Sequence, residues 1–265
     1  DFIPSGKGIN PKGGEIKTIR PTRRARILKP AKKLDNTPPF SKIKNMKTFC
    51  VSLCTAALSL LCACSTCEPE RQWQPLFGEK LADADFNPAV WSISDDGVMS
   101  AAKDEIIFSK KDWENFELEL EFKIFKGSNS GVVVYCTDAK NWIPNSIEIQ
   151  IADNADFSQP RTTCGSVYGF VPAEWDTSLP LNTWQKMKIR CQGKAIDTWI
   201  NGKHASHMDM SKWVDNKTNP DGTPIPSWLA ENKKAEVPTV GKIGLQGKHG
   251  NAGINFRNVK IRKIQ

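Results

Sequence analysis

Residues 71–265 predict an all-β fold, a sandwich of two antiparallel sheets, and three observations carry that expectation. Phe116, Leu118, Leu120, Phe122 and Ile124 alternate with Glu117, Glu119, Glu121 and Lys123, the period-two signature of a strand with one wet face. Asp95-Asp96-Gly97 and Asn201-Gly202 stand between apolar runs, where residues tolerant of positive φ close tight hairpins. About ten strand-length apolar segments follow one another with no helical period among them.

In chain order, a hairpin is expected over 91–100, then strands over 106–109, 116–124, 131–136, 146–151, 184–191, 196–200, 242–246 and 254–264. In the last of these the apolar phase slips between Phe256 and Val259, which predicts a bulge near Asn258. Residues 211–238 are rich in Pro, Asn, Asp and Lys and read as a long loop with one short helix near 227–231. Loops of that length tend to build a site or a lid.

The formal charge of +8 belongs to one end of the chain. Residues 1–45 hold twelve Lys or Arg against three acidic residues, whereas residues 48–265 hold 24 basic and 26 acidic. A nucleic-acid-binding surface needs excess cations to neutralise phosphates, so the folded part is not expected to bind nucleic acid. Residues 1–45, with no hydrophobic period, read as an upstream extension or disordered basic tail ahead of Met46.

Lys47 precedes an apolar run through Val51, Leu53, Leu58 and Leu61, too short to span a bilayer comfortably and ending in Leu61-Cys62-Ala63-Cys64. Residues 46–64 therefore resemble a bacterial lipoprotein signal with its lipobox, in which Cys64 takes the lipid, and 65–70 form a short linker to the domain at 71–265. This implies a cell-envelope protein held to the membrane through its lipid alone. Cys67, Cys136, Cys164 and Cys191 stay in the mature chain, and since their spacing fits no zinc pattern they are expected as free, mostly buried thiols.

Chemistry concentrates in Glu148-Ile149-Gln150-Ile151-Ala152-Asp153, because a strand puts Glu148 and Gln150 on one face and both Ile side chains on the other. The spacing resembles the catalytic strand of laminarinase-type retaining glucanases, but Gln150 stands where that pattern has a second carboxylate. Asp153 could complete an acid and nucleophile pair with Glu148 only if a bulge turned it onto the same face. Gly127-Ser128-Asn129-Ser130-Gly131 is a turn entering a strand, where Asn129 can donate and accept. Gly244-Leu245-Gln246-Gly247-Lys248-His249-Gly250 repeats that chemistry with a histidine suited to proton transfer. His204 and His207 read as surface residues, without a third ligand near in sequence.

In order along the chain, Trp73-Gln74-Pro75-Leu76-Phe77, Asn129-Ser130-Gly131, Glu148-Ile149-Gln150, Gly165 with Tyr168, residues 241–246, His249-Gly250 and Phe256-Arg257-Asn258-Val259 resemble the 3-keto-disaccharide hydrolase family over the whole of 71–265. The sequence departs from it at Gly78-Glu79-Lys80-Leu81 and in the enlarged 211–238 loop. The resemblance implies a concanavalin-like jelly roll acting on glycosides whose C3 hydroxyl is oxidised to a ketone. Such a ketone acidifies the C2 proton, so one base and one group polarising the ketone suffice for elimination, and water then adds back.

On this reading Glu148 or His249 carries the proton transfers, and both are candidate catalytic residues. Asn129, Gln150, Asp153, Tyr168 and Gln246 hold the sugar. No cofactor is established, although a divalent metal on the ketone is compatible, with Glu148 and His249 as candidate ligands. The alternatives are a conventional glycoside hydrolase and a lectin-like binding protein, for which Trp142, Trp175 and Trp213 in expected loops would be the sugar platforms.

Overall fold

The computed structural model describes residues 71–156 and 159–265. The basic N-terminal stretch, the lipobox with Cys64, and Cys67 lie outside the described residues.

Thirteen strands make two antiparallel sheets among the described residues: β1 (Gln74–Pro75), β2 (Ala84–Asp85), β3 (Trp91–Ile93), β4 (Met99–Ala101), β5 (Ile106–Ser109), β6 (Phe116–Ile124), β7 (Asn129–Cys136), β8 (Ile147–Ala152), β9 (Trp184–Gln192), β10 (Ala195–Ile200), β11 (Lys203–Asp209), β12 (Lys242–Gln246) and β13 (Ile254–Lys263). One sheet runs β11-β10-β9-β6-β13-β4-β3 with β1 added on β13; the other runs β2-β5-β12-β7-β8. This is the all-β sandwich of two antiparallel sheets that the alternating pattern predicts, and the architecture that the family resemblance implies. Its core lies between the sheets, where Phe116, Leu118, Phe122 and Ile124 meet Val132, Val134, Ile149 and Ile151, all at 0 % exposure.

The expected bulge is present in β13. Its register with β6 shifts between Arg257 and Lys260, and Asn258 takes φ 53, returning Val259 and Ile261 to the core. A turn of Asn201 and Gly202, both at positive φ, joins β10 to β11. Three strands escaped the pattern: β1 and β2 are two residues long, and β11 interleaves His204 and His207 with buried Ala205 and Met208 beside a register shift at Thr198/Trp199. Among the described residues no helix is long and apolar enough to cross a membrane.

Cys136, Cys164 and Cys191 are free and buried. Burial pushes the Cys136 and Cys164 thiols up to about 11 and about 12, far from the reactive thiolate range.

Candidate active site

The outer face of the five-stranded sheet collects the expected residues. Ile147, Ile149 and Ile151 of β8 point into the core, so Glu148 and Gln150 point away from it. The same alternation turns Asn129, Gly131 and Val133 of β7, Gly244 and Gln246 of β12, and Ile106 and Phe108 of β5 onto that face. Gly131 is paired with Gln150, and a Cβ built on it would lie 2.2 Å from a carboxylate oxygen of Glu148. Only a glycine there lets that carboxylate lie flat over the sheet.

Segment 165–168 extends the sheet beyond β8: Ile149 bridges Val167, Gln150 N–H donates to the Ser166 carbonyl, and Tyr168 N–H donates to the Glu148 carbonyl. Val167 goes into the core, which places Ser166 beside Gln150 and Tyr168 beside Glu148 on the outer face. Gln150 is 1 % exposed; its amide nitrogen donates to Asn129 Oδ1 at 3.3 Å, and its Oε1 has no partner. Ser166 Oγ, also buried, has none either. Two neighbouring orphaned polar atoms are costly unless a polar ligand answers them.

Burial pushes the Glu148 carboxyl up to about 8, and the negative charge of Asp104 adds to the shift. The Tyr168 phenol is raised by burial and then by Glu148, while the exposed indole of Trp228 stands within hydrogen-bonding reach of it. His249 enters from the β12–β13 connection. Its N–H donates to the Asn129 carbonyl at 3.2 Å, and its Nδ1 pairs with Asp104 Oδ2 at 2.5 Å. Asp104 thus holds the imidazole by Nδ1, which leaves Nε2 as the ring nitrogen able to meet a ligand, and it acts on Glu148 through its charge. Among the described residues no three His, Cys, Asp or Glu side chains are grouped as a metal site would require.

Asp153 is 7 % exposed and serves the loop beneath the site. Its Oδ2 accepts from Gly127 N–H at 2.9 Å and its Oδ1 from Ala155 N–H at 3.2 Å. Both oxygens of Asp153 are thereby committed to backbone. His204 bridges Glu174 and Asp197 at 3.0 and 3.2 Å on the other sheet, away from this face.

The long loop is ordered and walls the site. Ser227–Leu229 forms a short 3-10 turn, and Leu229 packs on Gly169, one residue from Tyr168. Trp213 is buried edge-on to Phe170 and Trp175 donates to the His204 carbonyl, so of the three expected sugar platforms Trp142 alone reaches the cleft. Asp104, Ser166 and Trp228 were not singled out from sequence. Nothing in a local pattern marks them, because long-range pairing alone brings them to Glu148.

A cleft of about 450 Å³ runs along this face, between Asp104, Gln246 and His249 on one side and Ile106, Phe108 and Trp142 on the other. A larger groove, about 1030 Å³, lies on the opposite sheet between Trp73 and Trp199. There Glu117, Glu119 and Glu121 are each paired with Lys or Arg at 3.0 Å or less, which is a structural charge ladder rather than a reactive site.

Comparison with known proteins points the same way. A protein of Bacteroides thetaiotaomicron described as a 3-keto-disaccharide hydrolase is 26 % identical over 210 residues, 67 % of this chain and 71 % of the relative. A Parabacteroides distasonis protein described as a candidate glycosyl hydrolase is 52 % identical, with TM-score 0.70, covering 73 % of this chain and all of that one. A second from the same organism shares the fold at 18 % identity and TM-score 0.57, over 74 % of this chain and 95 % of its own. Residues 72–262 match the family described as 3-keto-alpha-glucoside-1,2-lyase-like domain, so the chain belongs to the 3-keto-disaccharide hydrolase family.

Proposed function

We propose that the protein hydrolyses the glycosidic bond of 3-keto-glycosides by elimination followed by hydration, and that residues on this one sheet face carry both steps. The supporting observation is the unlike pair of proton carriers. Glu148 is neutral through most of the neutral range, while His249 is held by Asp104 through Nδ1 and lines the cleft.

His249 removes the proton from C2, whose electrons pass toward the C3 ketone. The enolate then collapses to a C1–C2 double bond as the C1–O bond breaks, and the leaving oxygen keeps the electron pair and takes a proton from Glu148. Water adds back with oxygen at C1 and hydrogen at C2, giving the 3-keto sugar and the free alcohol. Gln150 and Ser166, whose buried Oε1 and Oγ lack partners, hold sugar hydroxyls or the ketone. Asn129, Gln246 and Tyr168 complete the cradle, and Asp153 contributes by fixing the loop that presents Asn129.

A conventional retaining mechanism requires a second carboxylate facing Glu148; the commitment of Asp153 to Gly127 and Ala155 argues against that role for it, and Asp104, whose charge does act on Glu148, is held by His249. Export and attachment through the lipid on Cys64 belong to the same proposal, on the sequence pattern at 46–64. The experiment compares turnover of a 3-keto-glucoside with that of its unoxidised parent. Turnover confined to the ketone is expected; equal turnover of both overturns the elimination reading, and binding of both without turnover returns a lectin.

A further inference from the structure

The cleft beside Gln246 and His249 changes character along its length. Its far wall is Ile106, Phe108, Trp142 and Ile143. Phe108 forms with Val133 and Cys136 a hydrophobic cluster separate from the sandwich core, against which Ile106 and Trp142 pack. Gly244 makes this possible, since a Cβ there would come within 2.6 Å of Ile106 Cγ2 and 2.8 Å of Phe108 Cδ1. Ile143 is 38 % exposed and Trp142 half-buried, so this is apolar surface presented to the cleft and not merely packing.

Two of the polar groups that line the cleft already have partners: Asp104 pairs with His249, and one oxygen of Glu105 accepts from Asn87 at 3.4 Å. Among the described residues that line it there is no Lys or Arg. A sugar placed there would lose water from several hydroxyls with few partners to replace it. An anionic group would meet Asp104.

We infer that this cleft is the leaving-group subsite and that it takes an uncharged aromatic aglycone in preference to a second sugar. The inference rests on the reading of Glu148, Gln150 and His249 as the 3-keto-sugar site, because two residues of that site, Gln246 and His249, also line the cleft. It goes beyond that reading in naming the other half of the substrate. About 450 Å³ accommodates a phenyl ring with a short linker.

The test uses three 3-keto-β- and 3-keto-α-glucoside pairs with 2-phenylethanol, methanol or glucose as the leaving group. The first two alcohols differ little in acidity, so a rate difference between them reports contact with the ring rather than leaving ability. The 2-phenylethyl substrate should exceed the methyl one by about tenfold or more in kcat/KM, carried by KM, from burial of one ring. It should also exceed the disaccharide. Trp142→Ala and Ile143→Ser should each bring the phenylethyl-to-methyl ratio back toward unity; Ile143 is exposed, so its variant is not expected to disturb folding.

Turnover of all three with equal phenylethyl and methyl kcat/KM overturns the subsite and leaves the sugar site standing. If no 3-keto-glucoside turns over, the parent reading fails instead, and calorimetric binding of 2-phenylethyl and methyl glucoside decides the subsite. About tenfold tighter phenylethyl binding, lost in Trp142→Ala, supports it, and equal affinities overturn it.

Discussion

At Glu148 the burial that shapes the pocket also sets the protonation state. Its carboxyl ionises near 8 in the folded chain against 4.5 in the ordinary case. The unfolded chain releases that proton earlier, so the contribution of Glu148 to stability is intact below about pH 4.5 and is lost as the pH rises through about 8. Two consequences can be measured together. The kcat/KM of the wild type on a 3-keto-glucoside should fall above about pH 8 as the acid ionises. Glu148→Gln should lower turnover by about 100-fold or more while raising Tm at pH 9 by about 2–4 °C. A variant that is less stable at pH 9, or a wild-type rate that rises through pH 8, contradicts the acid role. Glu148, Gln150, Asn129 and Gln246 were legible in the sequence because period-two alternation fixes which side of a strand a residue takes. Asp104 and Ser166 were not, because each reaches the site only through pairings of β5 with β12 and of 165–168 with β8. Asp153 was legible as a polar residue near the site, but its two backbone donors follow from the turn at Gly127.

Among the elements, the 211–238 loop shows how a polar, irregular segment becomes a rigid wall. Lys234 is 1 % exposed, donates to the Pro144 and Ser146 carbonyls at 2.9 and 3.2 Å, and lies over the Phe170 ring. It ties this loop to the 138–146 segment that carries Trp142 and Ile143. Burial holds its ammonium down at about 8 from 10.5, so the cost of keeping it charged is relieved as pH rises between those values. Lys234→Met keeps the length and leaves both carbonyls unanswered; urea unfolding at pH 7 should show a loss of about 1–3 kcal/mol. An unchanged or higher midpoint would mean that relief of the buried ammonium outweighs the two hydrogen bonds. The sequence foretold a short helical turn near Ser227, and it is present. It could not foretell that Lys234 is buried, since a lysine in a polar stretch gives no local sign of two waiting carbonyls. Trp213 misled for a related reason: its ring fills a slot against Phe170, and its indole nitrogen donates to Asn219 at 2.8 Å inside the loop.

For the whole molecule, composition separates the two ends of the chain. The excess of basic charge lies before residue 48, and the sandwich formed by the later residues carries the candidate site on one sheet and a ladder of paired charges on the other. Attachment through Cys64 is expected to leave the domain free to turn toward soluble substrate, and Cys64→Ser should move the protein from the membrane fraction to the soluble fraction. Membrane retention of that variant contradicts the anchor. The central claim is that the glycosidic bond breaks after a proton leaves C2. The most direct test is turnover of a 3-keto-glucoside in deuterium oxide, with the product read by NMR at early conversion against an enzyme-free control. The account predicts one deuterium at C2 of the released 3-keto sugar, delivered when water adds back. Product formed with its original hydrogen at C2 would contradict it.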